Sequence, residues 1–108
     1  MVNILQELFE IIEIRRKTAS PQKSYVAKLF ARGKQKIAQK TGEEAVETVV
    51  AYLSEGKKET INESADLLFH LCILWADKGI EPEDVLKEIK SRMGKSGLDE
   101  KAARKADR

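Results

Sequence analysis

The chain has 108 residues, of which 42% are hydrophobic and 35% charged, with 20 Lys and Arg against 18 Asp and Glu for a net charge of +2. That length suits one domain with one core, the balanced charge argues against a nucleic-acid partner, and the apolar runs are too short to span a membrane. An acidic N-terminal stretch without a long apolar run argues against a signal peptide, and the single cysteine, Cys72, excludes an internal disulfide. A cytoplasmic protein with no membrane partner is expected.

Asn3 to about Arg16 places Leu5, Leu8, Phe9 and Ile12 on one side, with Asn3 positioned as a cap, and predicts an amphipathic helix. Pro21 breaks the pattern, and Ser24 caps a short helix from Tyr25 to about Ala31 that stops at Gly33. Lys34 to Ser54 is again helical, with Ile37, Val46, Val49, Val50 and Leu53 apolar and Gly42 internal. Glu55 and Gly56 form a short break, with Gly56 expected in the left-handed position that ends a helix. The next helix, Lys57 to Lys78, is then an antiparallel neighbour. It carries Leu67, Leu68, Phe69, Leu71, Cys72, Ile73, Leu74, Trp75 and Ala76 around most of its circumference. Glu63, Asp66, His70 and Asp77 share a wedge of roughly 60°. A helix apolar on nearly every side is expected to be buried. After Gly79, Glu81-Pro82-Glu83-Asp84 opens a last helix with Val85, Leu86, Ile89 and Met93 as a buried stripe.

The expected fold class is all-α: an antiparallel helical hairpin with flanking helices as one domain over residues 1–93, followed by a charged, loosely ordered tail over 94–108. A small domain hides only one stripe of a helix. The apolar surface of the central helix therefore predicts a four-helix-bundle homodimer made from two hairpins.

Two acidic motifs stand on the adjacent helices, Glu43-Glu44-Ala45-Val46-Glu47 and Glu63-Ser64-Ala65-Asp66. Spacings of three and four residues bring side chains onto one helical face, so the motifs can offer converging oxygens. Oxygen-only ligation suits Mg²⁺ or Mn²⁺, which retain waters and accept phosphate oxygens. One histidine and one cysteine disfavour zinc. Lys28, Arg32, Lys36, Lys40 and His70 border the acids and supply charge for a polyphosphate. Against this stands the ordinary reading of Glu43, Glu44 and Glu47 as a solvated face paired with Lys36 and Lys40. His70 has an equally ordinary reading as a hydrogen-bonded structural residue, and Asp77 reads as a surface group.

Three segments, Ser24-Tyr25-Val26-Ala27-Lys28-Leu29-Phe30, Lys36 through Glu47, and Glu63 through His70, resemble the phosphoribosyl-ATP pyrophosphatase family of histidine biosynthesis, part of the all-α nucleoside triphosphate pyrophosphohydrolase superfamily. The resemblance runs over nearly the whole chain, including Arg92, Ser96-Gly97 and Glu100 to Arg104, and departs at Phe69, where the family usually has tyrosine. It implies hydrolysis of the α–β phosphate bond of 1-(5-phosphoribosyl)-ATP to phosphoribosyl-AMP and pyrophosphate. The implied Mg²⁺ ligands are Glu44, Glu47, Glu63 and Asp66, with Glu43 or Glu47 as the general base. Lys28, Arg32, Lys36, Lys40 and His70 are the implied substrate contacts. Lys95, Ser96, Lys101 and Arg104 match the family's ending, which suggests a tail that orders over substrate. The alternatives are a house-cleaning nucleoside triphosphate pyrophosphohydrolase and a non-catalytic helical dimerisation module. A di-iron site is disfavoured because the Glu-x-x-His spacing is absent.

Overall fold

A computed structural model of the chain describes residues 3–94 and Arg104. The tail expected to close over substrate lies, apart from Gly94 and Arg104, outside the described residues. Over residues 4–92 five helices follow one another: α1 (Ile4–Thr18), α2 (Tyr25–Arg32), α3 (Lys34–Ser54), α4 (Lys57–Lys78) and α5 (Pro82–Arg92). No strand occurs among the described residues.

The caps fall where short polar residues precede apolar periods. Asn3 Oδ1 accepts from the backbone N–H of Leu5 and Gln6 at 3.1 and 3.2 Å, and Ser24 Oγ accepts from that of Ala27 at 3.2 Å. Gly33, at φ 95°, turns the chain directly from α2 into α3 in a conformation that residues with a Cβ rarely adopt. At α5, Glu81 N–H donates to Asp84 Oδ2 at 2.9 Å, with Pro82 opening the helix where no amide donor is needed.

Gly56 departs from expectation. Its φ is −101°, extended rather than left-handed, and it caps the start of α4 instead of closing α3. Its N–H donates to Glu59 Oε1 at 3.1 Å, and a Cβ at Gly56 would lie 2.9 Å from that same oxygen. Glycine serves here to admit a close carboxylate.

The core joins Phe9 and Ile12 of α1, Val26 and Leu29 of α2, Ile37 of α3, and Cys72, Ile73 and Ala76 of α4. Arg16 fastens three helices around it. The guanidinium lies 4.2 Å from the centre of the Phe30 ring, donates to the Ala76 carbonyl at 3.3 Å and pairs with Asp77 at 3.4 Å. Asp77 is therefore engaged with α1, away from the other acids of its wedge.

α4 is not buried on all sides. Burial along it is confined to His70, Cys72, Ile73 and Ala76, and Leu68 stays 43% exposed. The expected buried stripe of α5 is likewise uncovered, with Leu86, Ile89 and Met93 exposed and only Pro82 buried. The reason is the same in both places. Five helices of one short chain cover one stripe of the hairpin, and α5 packs mainly against α1, which leaves its own apolar side open.

Candidate active site

Helix α3 buries Ile37, Glu44 and Ala51, every seventh residue, as its seam in the fold. A seam of that period ordinarily holds only apolar side chains. Glu44 sits at its centre and is only 8% exposed, which rules out the reading of this acid as part of a solvated face. Across the hairpin, Glu63 and Asp66 approach it from α4. One oxygen from each of Glu44, Glu63 and Asp66 lies within 4.8 Å of the other two. The Thr48 hydroxyl locks the two helices at this level, standing 2.7 Å from the Glu44 carbonyl oxygen and 3.2 Å from that of Glu63.

The triad has no internal compensation. Glu44 Oε2 and Glu63 Oε2 are buried with no hydrogen-bond partner, a costly state for a carboxylate. Burial pushes the Glu44 carboxyl above the usual range, and the Glu47 charge pushes it further. Glu63 is raised chiefly by the Glu47 carboxyl, with which it can share a proton, and then by desolvation and the charges of Glu47, Glu44 and Asp66. Glu47 is exposed at the rim of the cluster. Glu43 is drawn elsewhere, lying 3.9 Å from Lys40 Nζ and accepting from Gln39 Nε2 at 3.4 Å. Orphaned carboxylate oxygens converging without a cation are the donor set of a hard divalent ion. The residues present fit Mg²⁺ or Mn²⁺.

Beside the acids runs a cationic groove of about 230 Å³, lined by Tyr25, Lys28, Leu29, Arg32, Lys36 and Lys40. Its direction follows from the tight turn at Gly33: Arg32 and Lys36 flank the turn, whereas Tyr25 and Lys40 stand toward the acids. All four cations expected from the sequence as substrate contacts share this one groove.

His70 has a different position. It is 6% exposed, its Nδ1 lies 2.8 Å from the Asp66 carbonyl oxygen, and its Nε2 lies 2.8 Å from the Tyr25 hydroxyl. Both ring nitrogens are engaged within the chain. Two residues not singled out from the sequence, Tyr25 and Thr48, thus complete the surroundings of the acids. Helical spacing carried a signal for each, since Tyr25 precedes Lys28 by three and Arg32 by seven, and Thr48 follows Glu44 by four.

Comparison with known proteins places this architecture in a family. The profile of the phosphoribosyl-ATP pyrophosphohydrolase family matches residues 5–93. The phosphoribosyl-ATP pyrophosphatase of Paramagnetospirillum magneticum is 62% identical over 101 residues, covering 94% of this chain and 92% of the relative. Proteins of the same name from Gluconobacter oxydans and Azospirillum brasilense are each 52% identical, over 94% and 95% of this chain and 75% and 92% of their own lengths. A match over most of the chain, carrying the acids of α3 and α4 and the cations of α2 and α3 within it, shows that the chain belongs to the phosphoribosyl-ATP pyrophosphohydrolase family.

Proposed function

We propose that this enzyme hydrolyses 1-(5-phosphoribosyl)-ATP between its α and β phosphates, releasing phosphoribosyl-AMP and pyrophosphate in the histidine pathway, with Mg²⁺ bound at the acid cluster. Glu44, Glu63 and Asp66 would hold the ion, and Glu47 stands at the rim as a fourth carboxylate or as acceptor of the attacking water's proton. When bound, the ion supplies charge neutralisation for the phosphate oxygens at the scissile bond. Lys28, Arg32, Lys36 and Lys40 bind the phosphate chain along the groove, oriented so that the departing pyrophosphate lies among ammonium and guanidinium groups. Glu43 is held by Lys40 and serves to fix that lysine. His70, engaged at both nitrogens, supports Tyr25 and the Asp66 turn from inside the fold. The protein is assigned to the cytoplasm, in keeping with a biosynthetic enzyme none of whose described helices is long and apolar enough to cross a membrane.

The single observation carrying this reading is the pair of buried, unpartnered oxygens on Glu44 and Glu63, which favour a cation, immediately beside a groove that favours an anion. Incubation with phosphoribosyl-ATP, with and without Mg²⁺, tests it by release of pyrophosphate. Release only with the metal, and faster than from ATP, dCTP or dUTP, is the expected result. Comparable rates on the free triphosphates would make it a house-cleaning enzyme instead.

The active form is a homodimer. Val46, Val49, Val50 and Leu53 form an exposed stripe on α3, and Ile61 and Leu68 are exposed on α4. The outer groove of the hairpin, about 590 Å³ and lined by Tyr52, Ile61, Ala65 and Leu68 among others, is the place where a second hairpin would complete a four-helix bundle. Sedimentation at micromolar concentration distinguishes dimer from monomer.

A further inference from the structure

Threonine and serine hydroxyls recur along these helices, and most of them serve only the helix they stand on. Thr18, Thr41, Thr60 and Ser64 each donate to the carbonyl oxygen four residues earlier, at 2.7 to 2.9 Å. Such a bond adds nothing to helix stability. Thr48 has the same relation to the Glu44 carbonyl oxygen, at 2.7 Å, but its hydroxyl also stands 3.2 Å from the carbonyl oxygen of Glu63 on α4. Both oxygens only accept, so the one hydroxyl proton is shared between them in a three-centre bond.

This tie works against the charges around it. Glu44 and Glu47 from α3 face Glu63 and Asp66 from α4, and these carboxylates repel one another across the hairpin when ionised. Among the described residues, Thr48 is the one hydrogen-bond donor that joins α3 directly to α4 whatever the protonation of the acids. It does so on the backbone of Glu44 and Glu63, two of the residues assigned to the ion. A single oxygen atom set against both carbonyls limits how far the two helices can part at that level, and hence how far their carboxylates stand from each other. Cations differ in what they ask of such a spacing. Mg²⁺ demands a near-ideal octahedron at about 2.0 to 2.1 Å, whereas Ca²⁺ accepts more oxygens at about 2.3 to 2.6 Å in flexible arrangements.

We propose that Thr48 is a positioning residue that raises the preference of the acid cluster for Mg²⁺ relative to Ca²⁺, by holding α3 and α4 together at the level of Glu44 and Glu63. This rests on the reading of the site given above. The test measures Mg²⁺ and Ca²⁺ affinities by calorimetry in wild type, in Thr48→Val, which puts a methyl group in place of the hydroxyl, and in Thr48→Ser, which keeps the hydroxyl. Thr48→Val should lose about tenfold in Mg²⁺ affinity, the lower end for a group that orients metal ligands, and less in Ca²⁺ affinity. Thr48→Ser should keep the wild-type ratio of the two. Should Thr48→Val not fold, Thr48→Ala, which asks for no room between the helices, carries the same expectation. Equal losses for both ions, or none, in the variant lacking the hydroxyl would overturn the inference and leave Thr48 as an ordinary helix contact, even where the melting temperature falls. A ratio that drops as far in Thr48→Ser would overturn it too, because the hydroxyl would not be the cause. Failure of wild type to bind either ion would overturn the reading of the site itself, and this inference with it.

Discussion

The two faces of the α3–α4 hairpin reverse the usual arrangement of a small protein. The seam that faces the fold holds Glu44, with Glu63 and Asp66 beside it, whereas α3 exposes Val46, Val49, Val50 and Leu53 away from Glu44, and α4 exposes Ile61 and Leu68. At about 100° per residue, Glu44 and the valine stripe lie on nearly opposite sides of α3. Charge inside and hydrocarbon outside are both unfavourable in an isolated chain. The proposed function answers each reversal with a partner: a cation for the inner face, a second hairpin for the outer one.

The largest effects are expected at the inner face. Glu44→Gln, Glu63→Gln and Asp66→Asn should each lower pyrophosphate release by more than about 100-fold, the upper end of losses seen when only the outer shell of a metal site is altered. Each should weaken Mg²⁺ binding measured by calorimetry, and none should unfold the protein, since an amide preserves the shape while removing the charge. Wild-type turnover in all three would end the assignment.

On the outer face, Val50→Asp or Leu53→Asp should dissociate the proposed dimer and lower the melting temperature. Burial of each such side chain contributes roughly 1.5 to 3 kcal/mol, and a charge in its place adds a desolvation cost. The wild-type melting temperature should rise with protein concentration, as it does when folding and association are coupled. A concentration-independent melt for wild type would return the apolar face to a monomer's surface.

A smaller effect links charge to pH. In the metal-free protein the carboxyl groups of Glu44 and Glu63 are raised above their unfolded values. The folded state therefore binds more protons than the unfolded chain, and stability from these groups is lost as pH rises through their folded pKa values. It is fully present only below the unfolded value of about 4.3. Without divalent ions, Glu44→Gln should melt above wild type at pH 8, and the gap should narrow as the pH falls toward 5. Saturating Mg²⁺ should stabilise wild type and reverse the order at pH 8. A gap that does not change with pH would show that the Glu44 charge is not the source.

The smallest change is expected at Glu43. Although adjacent in sequence to Glu44, it is directed to Lys40, and a part-exposed pair of this kind is worth about 0 to 1 kcal/mol. Glu43→Gln should therefore cost about fivefold or less in kcat/KM, mostly through KM. A loss as large as that of Glu44→Gln would move Glu43 into the acid cluster and make it the base.

Much of this was legible in the sequence because helices write their own periodicity. The bounds of α3 and α4, the caps at Asn3 and Ser24, and Pro82 at the head of α5 rest on local chemistry within one or two turns. What misled was any inference about which side would be covered. Met93 and Ile89 have the spacing of a buried stripe and are exposed, because periodicity reports that a helix is amphipathic and not whether anything lies against it. Gly56 has the composition of a helix stop and acts instead as a helix start, since the Glu59 carboxylate reaching back to its N–H decided its conformation. The pairing of His70 with Tyr25 joins residues 45 apart, a distance over which no local pattern speaks.

By itself, then, the sequence determined the helices, their order, the acidic and basic motifs and the family to which they point, all of which depend on residue identity and short-range spacing. Tertiary structure alone decided which acids meet, that Glu44 and Glu63 keep unpartnered oxygens, that Asp77 turns to Arg16 instead, and that Tyr25 is joined through His70 to the backbone carbonyl of Asp66. The physical reason is that charge repulsion, desolvation and hydrogen-bond partnering are set by distances between helices. Those distances exist only once the hairpin has closed.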